Sequence, residues 1–516
     1  MGNRLRPERL LVGVTIAVIL YLYTNGIFLF FSPSELPELL RFFAIGAPFA
    51  ILFFLFPRFA LVILAFSSYF FDWLAFWVKI VPPSFTWFID FILIIFLVRY
   101  FFLFPHLRAR PAPAAEMWIW GLLLFSLFSA LINETPTAVA FLGLRVSLKY
   151  LILFVVLSSI DLSEKFARRL LYLQFAIALV QIPIVLLEFQ AAPTTTWDPW
   201  DRMGGTFGLN ATGVLAVFLL GWIAFLIATM VEQRRLRLRL LLLILFLHIP
   251  PILGEGKAFF IVLIPLTLFM LRREWIRRPG LAVAIGLFSF TLFVGVDYVL
   301  VKTGYWISGR NPITYITNIG SVIERDLETS RPWASGTGEA RAGRFFQAES
   351  GFRLATSSLQ AFVFGFGPGA ATRSFFAAQQ SPTVAFFRKW GISSDAQSLA
   401  WMLVEYGVVG TLLFLVPPIL LYRHARILRR SERESHRILA AAFQGLTFLY
   451  VINLFVTALL QSDQIGYFYW VTAAIVVQLA HTVKREMEVK DASQVALEPT
   501  TIAQNSSVAV DVRTRG

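Results

Sequence analysis

The chain of 516 residues contains no cysteine, which excludes disulfides and thiolate metal sites. Histidine is nearly as scarce: the five are His106, His248, His424, His436 and His481. None lies between residues 302 and 396, the one long polar stretch. A histidine-based catalytic or metal site there is excluded unless His248 reaches it from the end of a neighbouring apolar segment. Charged residues make up only 15% of the chain against 57% hydrophobic, which excludes an ordinary soluble domain and indicates a polytopic membrane protein. No small-residue cleavage site follows the first apolar run, 10–31. That run is too long for a signal-peptide core and reads as a retained span behind Arg4, Arg6 and Arg9. There is no separate basic domain, so the net charge of +14 does not point to nucleic acid. No internal repeat is visible.

Long apolar segments and one polar interruption are what the chain has in abundance. A bilayer core takes about 20 apolar residues in helix. Fourteen segments qualify, at 10–31, 39–56, 59–80, 85–104, 117–133, 138–160, 166–190, 207–231, 240–253, 257–271, 281–301, 397–422, 438–460 and 465–483. The segments 240–253 and 257–271 are short and read equally as a re-entrant hairpin around Gly254-Glu255-Gly256. Basic residues orient the rest. With a cytoplasmic N-terminus, the cytoplasmic connections hold 29 Lys and Arg and the short external loops hold 3, a strong positive-inside bias that puts 302–396 outside. The expected fold is all-α: a polytopic transmembrane helical bundle of 12–14 spans with one large external loop containing amphipathic helices. Its parts are an N-terminal bundle at 1–301, the loop at 302–396, C-terminal spans at 397–483 and a polar, disordered cytoplasmic tail at 484–516. Within the loop, apolar residues at helical spacing predict helices over 312–328 and about 341–363, the second with a possible bend at Gly351.

The candidate chemistry gathers at polar residues that interrupt apolar ones. Arg145 and Lys149 lie four apart on one helix face inside the span 138–160. Intramembrane cations face a cavity or a partner. Two readings follow: an anionic ligand such as a pyrophosphate, or pairing with a carboxylate from another span such as Asp72, Asp90 or Glu188. Lys257 follows a short glycine turn that admits close backbone approach, or simply pairs with Glu255. Arg341, Arg344 and Arg353 share the second loop helix, where Glu349 is an i,i+4 partner for Arg353. Gly365-Phe366-Gly367-Pro368-Gly369 breaks the chain after that helix, as a ligand-facing loop or a plain turn. Asp395 stands at the mouth of the span 397–422, placed to act as a general base on a sugar hydroxyl or to cap that helix. Glu405 lies two turns deeper, as a further catalytic group or a buried, hydrogen-bonded acid.

In the order and spacing of these segments the chain resembles the O-antigen ligase and Wzy-type polymerase superfamily. Gly205-Thr206-Phe207-Gly208-Leu209-Asn210 resembles the family's G-x-F-x-N-x-N segment. Gly256-Lys257 resembles its Ser-Arg site with Lys for Arg. Arg344 with the turn at 364–369 resembles its Arg followed by G-x-G-x-G, and Leu399 to Gly410, including Glu405, resembles L-x-x-x-E-x-G-x-x-G. The likeness spans roughly 135–483.

It implies a GT-C-like membrane glycosyltransferase of the bacterial inner membrane, with both termini cytoplasmic and the large loop periplasmic. The implied substrate is an undecaprenyl-pyrophosphate-linked oligosaccharide, whose sugar passes to an acceptor hydroxyl without metal or other cofactor. The expected surroundings are membrane lipid, with a chain-length regulator or export complex as protein partner. The resemblance adds Asn210 and Gln397 to the substrate-binding candidates Arg145, Lys149, Lys257, Arg341, Arg344 and Arg353, and makes Asp395 and Glu405 the catalytic candidates. One departure is informative. The His-Asn that ligases carry before the last segment reads Ala396-Gln397 here, with Asp395 adjacent. That shifts the expectation from a ligase to a polymerase of O-antigen, capsule or exopolysaccharide, with a ligase or a flippase of the same lipid-linked donor as alternatives.

Overall fold

A computed structural model describes residues 47–81, 87–103, 114–160, 162–191, 203–208, 211–254, 257–272, 274–302, 344–372, 381–390, 392, 397–457 and 459–507. Among these residues there are helices and short connections and no strand. Eight of the described helices are long and apolar enough to cross a membrane, so the chain is an all-α, multi-pass membrane protein. The expected span 10–31, the start of 39–56 and the expected loop helix 312–328 lie outside the described residues.

After a helical stretch over 47–55 come α1 (Pro57–Asp72), which widens into a π-helical turn at Trp73–Trp77, α2 (Phe88–Leu103), α3 (Ala114–Ile132), α4 (Thr137–Ser159) and α5 (Glu164–Ala191). They are followed by α6 (Thr212–Gln233), α7 (Leu238–Leu253), α8 (Lys257–Leu271) and α9 (Pro279–Lys302). From the polar stretch come α10 (Arg344–Ala355), α11 (Leu359–Phe364) and α12 (Thr383–Lys389). The chain closes with α13 (Ser398–Leu428), α14 (Glu434–Val456) and α15 (Asp463–Ser507).

Helices that are apolar on every side belong in the middle of a bundle. In α4 and α6, 83% of the most apolar window is buried, against 33% in α5. Helix α4 is enclosed by α2, α3 and α15, and α6 by α14, α8 and α7. Small residues let these helices approach, as is general in membrane packing: Gly445 of α14 meets Ala224 of α6, and Gly351 of α10 lies on Ala400 of α13.

The two short segments do not pair with each other along their lengths. Helix α7 lies against α5 and α6, whereas α8 lies against α6, α9 and α14, so each packs as a separate helix. The expected single helix over 341–363 is two. Gly351 stays helical, and the break falls at 356–358, where the Ser358 side chain caps α11 by accepting from the Ala361 N–H at 3.0 Å. Both pieces rest on α13. Helix α15 runs on to Ser507, through the first part of the stretch whose composition reads as a tail. A Lys490–Glu432 pair at 2.6 Å and a Lys484–Glu488 pair at 3.7 Å accompany that extension.

The two ends of the bundle differ in chemistry. At one end, charged residues tie helix termini together: Arg429 and Arg437 to Glu232 at 3.1 and 3.2 Å, and Arg433 to Glu164 at 2.8 Å. The opposite end holds the junction between α3 and α4, the starts of α6, α13 and α15, and the glycine turn after α11. The candidate site lies at that second end.

Candidate functional site

Helix α4 presents two polar stripes. Gly143 and Ser147, four residues apart, form one; Arg145 and Lys149 form the other. Two residues of α-helix turn about 200°, so the stripes face nearly opposite ways. On the first stripe, Gly143 abuts the backbone of Pro368 and Gly369, and Ser147 Oγ meets the Tyr406 hydroxyl at 2.6 Å. On the second, Arg145 and Lys149 sit about 12 and 18 Å along the helix from its start at that end.

Both cations are held by carboxylates from other helices. Arg145 Nη2 lies 2.6 Å from Asp90 Oδ2, near the start of α2, and its guanidinium stacks 3.9 Å from the Trp87 ring. Lys149 Nζ pairs with Asp463, the first residue of α15, and lies 5.2 Å from the Tyr150 ring. Gln464 then donates to Asp72 Oδ2 at 3.1 Å, and Asp72 is within electrostatic range of Asp463 and Lys149. A chain of polar groups therefore crosses from α2 through α4 and α15 to the end of α1. Asp72 stands where α1 loosens into its π turn, a local irregularity that recurs at functional sites.

The glycine-rich segment 205–208 joins this network from the far side. Gly205 has φ +59° and its N–H donates to Glu188 Oε2 at 2.8 Å. The Thr206 N–H donates to Gln181 Oε1 at 2.8 Å, and Gln181 returns a bond to the Thr206 hydroxyl at 2.7 Å. Gly208 then passes close against Asp72. Glu188 is thus engaged by backbone and by neither cation.

The glycine turn 365–369 plugs into a break in α13. Gly407 has φ +69° and ψ −175°, so the helix is interrupted there. The carbonyls of Val404 and Glu405, freed from the helical ladder, accept from the N–H groups of Phe366 at 2.8 Å and Gly367 at 3.2 Å. The Glu405 side chain is fully buried and completes the joint. Its Oε1 accepts from the Ala371 N–H at 3.0 Å and the Thr372 hydroxyl at 2.7 Å, while the Trp401 indole donates to Thr372 Oγ1 at 3.2 Å. The turn also presses on Val139 and Gly143 of α4. Glu405 is therefore on the Ser147 side of α4 and the cations are on the other.

The geometry gives Glu405 a bracing contact, with a measurable consequence. Glu405→Gln retains an acceptor for both donors and is expected to lower stability by about 1 kcal/mol, whereas Glu405→Ala, which strands them in a buried site, is expected to lower it by about 2–4 kcal/mol. Thermal unfolding in detergent checks the ranking. Equal losses would sink the brace.

The chain matches no family model and no curated protein.

The remaining described candidates are more dispersed. Gln397, buried just before α13, donates from Nε2 to the Phe455 carbonyl and so fastens the start of α13 to the end of α14. Arg344 opens α10 with an exposed side chain. Arg353, in the last turn of α10, is exposed and pairs with Glu349 at 2.5 Å in the i,i+4 geometry. Lys257 is the first residue of α8, and its side chain lies outside the described residues. Asp395, Arg341 and Asn210 also lie outside them. Among the described residues, no group of three or more His, Asp or Glu side chains is placed to hold a metal ion.

Sequence reasoning singled out the cations and missed Asp463, Gln464 and Trp87 as their surroundings. Ser462-Asp463-Gln464 just before an apolar run has the composition of a helix cap, which masks its partnership with Lys149. The signal was the pair of intramembrane cations, which required counter-charges from somewhere.

Proposed function

We propose that the chain is a glycosyltransferase of the bacterial inner membrane that polymerises undecaprenyl-pyrophosphate-linked repeat units on the periplasmic face. The carrying observation is the pair of recessed cations on one face of α4. Arg145 and Lys149 retain 17% and 10% side-chain exposure, about 12 and 18 Å along α4 from the end where the glycine turn lies. Paired cations stabilise the charge that develops on a departing pyrophosphate. The positive-inside bias supports cytoplasmic termini and a periplasmic site.

In this reading an acceptor hydroxyl attacks the anomeric carbon of the donor sugar. Its proton passes to Asp395, the bond from that carbon to the diphosphate oxygen breaks, and the lipid diphosphate leaves on Arg145 and Lys149. Glu405 acts through the turn it braces and is a positioning residue. The test is purified protein in nanodiscs supplied with lipid-linked repeat units, without nucleotide or added metal. A ladder of longer glycans is expected, and Asp395→Asn is expected to abolish it while expression in the membrane persists. A full ladder from the Asn variant would reduce Asp395 to a helix cap. No ladder from the wild type would remove the polymerase reading.

A flippase of the same donor is a second reading, favoured by two observations. Asp72, Asp90 and Asp463 outnumber the two cations they surround, as in proton-coupled sites, and α13 is discontinuous at Gly407. Movement of a fluorescent lipid-linked glycan across proteoliposomes, without elongation, would select it.

A further inference from the structure

We infer that Asp463 is a built-in stand-in for phosphate: it holds Lys149 while the site is unliganded and releases it to an arriving diphosphate, whereas Asp90 keeps Arg145 throughout. This rests on the reading of Arg145 and Lys149 as a diphosphate site and names the residue that regulates access to it.

The two ion pairs are built differently. Asp90 is only 4% exposed, and its guanidinium partner is fixed between the carboxylate and the Trp87 ring. Separating that pair would strand a buried charge, the costly half of any buried salt bridge. A planar guanidinium on an aromatic face is also poorly suited to re-aiming. Asp463, by contrast, is 16% exposed and is the first residue of α15. Ser462 caps the helix by accepting from the Ile465 N–H at 3.2 Å, so Asp463 is not needed as a cap, and the positive end of the helix dipole favours a carboxylate there even without a cation. Its partner is an ammonium on a flexible stem, which can turn from one anion to another.

Charge balance points the same way. With all groups ionised, the carboxylates of Asp72, Asp90 and Asp463 exceed Arg145 and Lys149 by one negative charge. A diphosphate entering that field is repelled as long as Asp463 occupies Lys149. Rotation of the partly exposed Asp463 side chain away from Lys149 frees the ammonium and relieves the repulsion. Asp463 is thus a positioning residue that acts through Lys149, and the closed pair lowers apparent affinity in proportion to its population.

The test compares wild type, Asp463→Asn and Asp90→Asn as full-length protein in nanodiscs, titrated with inorganic pyrophosphate and with undecaprenyl pyrophosphate. Asp463→Asn is expected to bind both probes about tenfold more tightly, and Asp90→Asn is expected to gain nothing. A gain confined to the lipid form supports the inference and makes the polyprenyl chain part of recognition. If the Asn variant unfolds, Asp463→Ser, which also removes the charge and leaves the Ser462 cap on the Ile465 N–H in place, carries the same expectation. Wild-type binding that Lys149→Ala abolishes but Asp463→Asn leaves unchanged or weakens would overturn the stand-in and leave the diphosphate site intact. Equal gains in the Asp463 and Asp90 variants would also overturn it, by making the effect one of bulk charge. Failure of every protein to bind either probe would remove the diphosphate reading itself.

Discussion

Gly407→Ala is expected to destabilise the protein by about 3–5 kcal/mol, the sum of left-handed backbone strain and steric overlap in a closed joint. Gly407 has φ +69°, a conformation that L side chains rarely adopt. A Cβ built there would stand 2.6 Å from the carbonyl oxygens of Ala361 and Phe362 and 2.8 Å from the Gly365 nitrogen. All three are backbone atoms, so no side chain can swing aside. Both partners in the joint are fixed by hydrogen bonds, the turn through Phe366 and Gly367 and α13 through the Val404 and Glu405 carbonyls. The thermal unfolding midpoint in detergent reads the effect. Gly295→Ala on α9 is the comparison: nothing lies within 4 Å of its added Cβ. There the change is expected to be neutral or stabilising by up to about 1 kcal/mol, because alanine is the better helix former. Equal behaviour of the two variants would mean that the break in α13 is not a fixed part of the fold.

Breaking the Arg145–Asp90 pair from either side is the second large expected effect. Arg145→Ala and Asp90→Ala should each lower stability by about 3–5 kcal/mol, since each leaves a charge buried without its counter-ion. The double variant should be less destabilised than the sum of the singles, with a coupling of about 1–3 kcal/mol. Loss of the stack on Trp87 adds to the arginine variant alone, worth about 1–2 kcal/mol for a desolvated cation–π contact. Strict additivity in the cycle would show that the two side chains do not depend on each other, despite the 2.6 Å separation. These stability effects are distinct from the binding of diphosphate probes, which the Asp463 variants test without disturbing Arg145.

Much of the architecture was legible in the sequence because spans in a bilayer obey a length rule. The apolar run over 138–160 became the helix Thr137–Ser159, 166–190 became Glu164–Ala191, and 438–460 became Glu434–Val456. Helix ends fell within a few residues of a charge or proline, as at Pro136 before α4. Alternation of basic connections also separated the two ends of the bundle, one tied by Arg429, Arg433 and Arg437 and the other carrying the glycine turn.

The wiring of the polar residues was less legible. Arg145 and Lys149 were visible as cations in need of partners, and Asp90 was among the carboxylates within reason. That Asp463 takes Lys149, while Glu188 takes a backbone N–H instead, depends on which helices are neighbours. Glu405 reads in sequence as a deep acid in the span whose mouth carries the candidate base. Its side chain instead closes the joint with Ala371 and Thr372, on the opposite side of α4 from the cations.

The sequence by itself determined the membrane class, the placement of most spans, the position of the polar stretch and the presence of two stacked intramembrane cations. Each of these is a local property, set by hydropathy, charge and helical period within one segment. Only the tertiary structure decided which carboxylate meets which cation, that α13 is broken at Gly407, and that the glycine turn fills that break. Those facts depend on contacts between residues separated by up to hundreds of positions in the chain, such as Lys149 with Asp463. Hydropathy is indifferent to such contacts. In a membrane interior they are fixed by close packing and by the need of every buried charge and freed carbonyl for a partner.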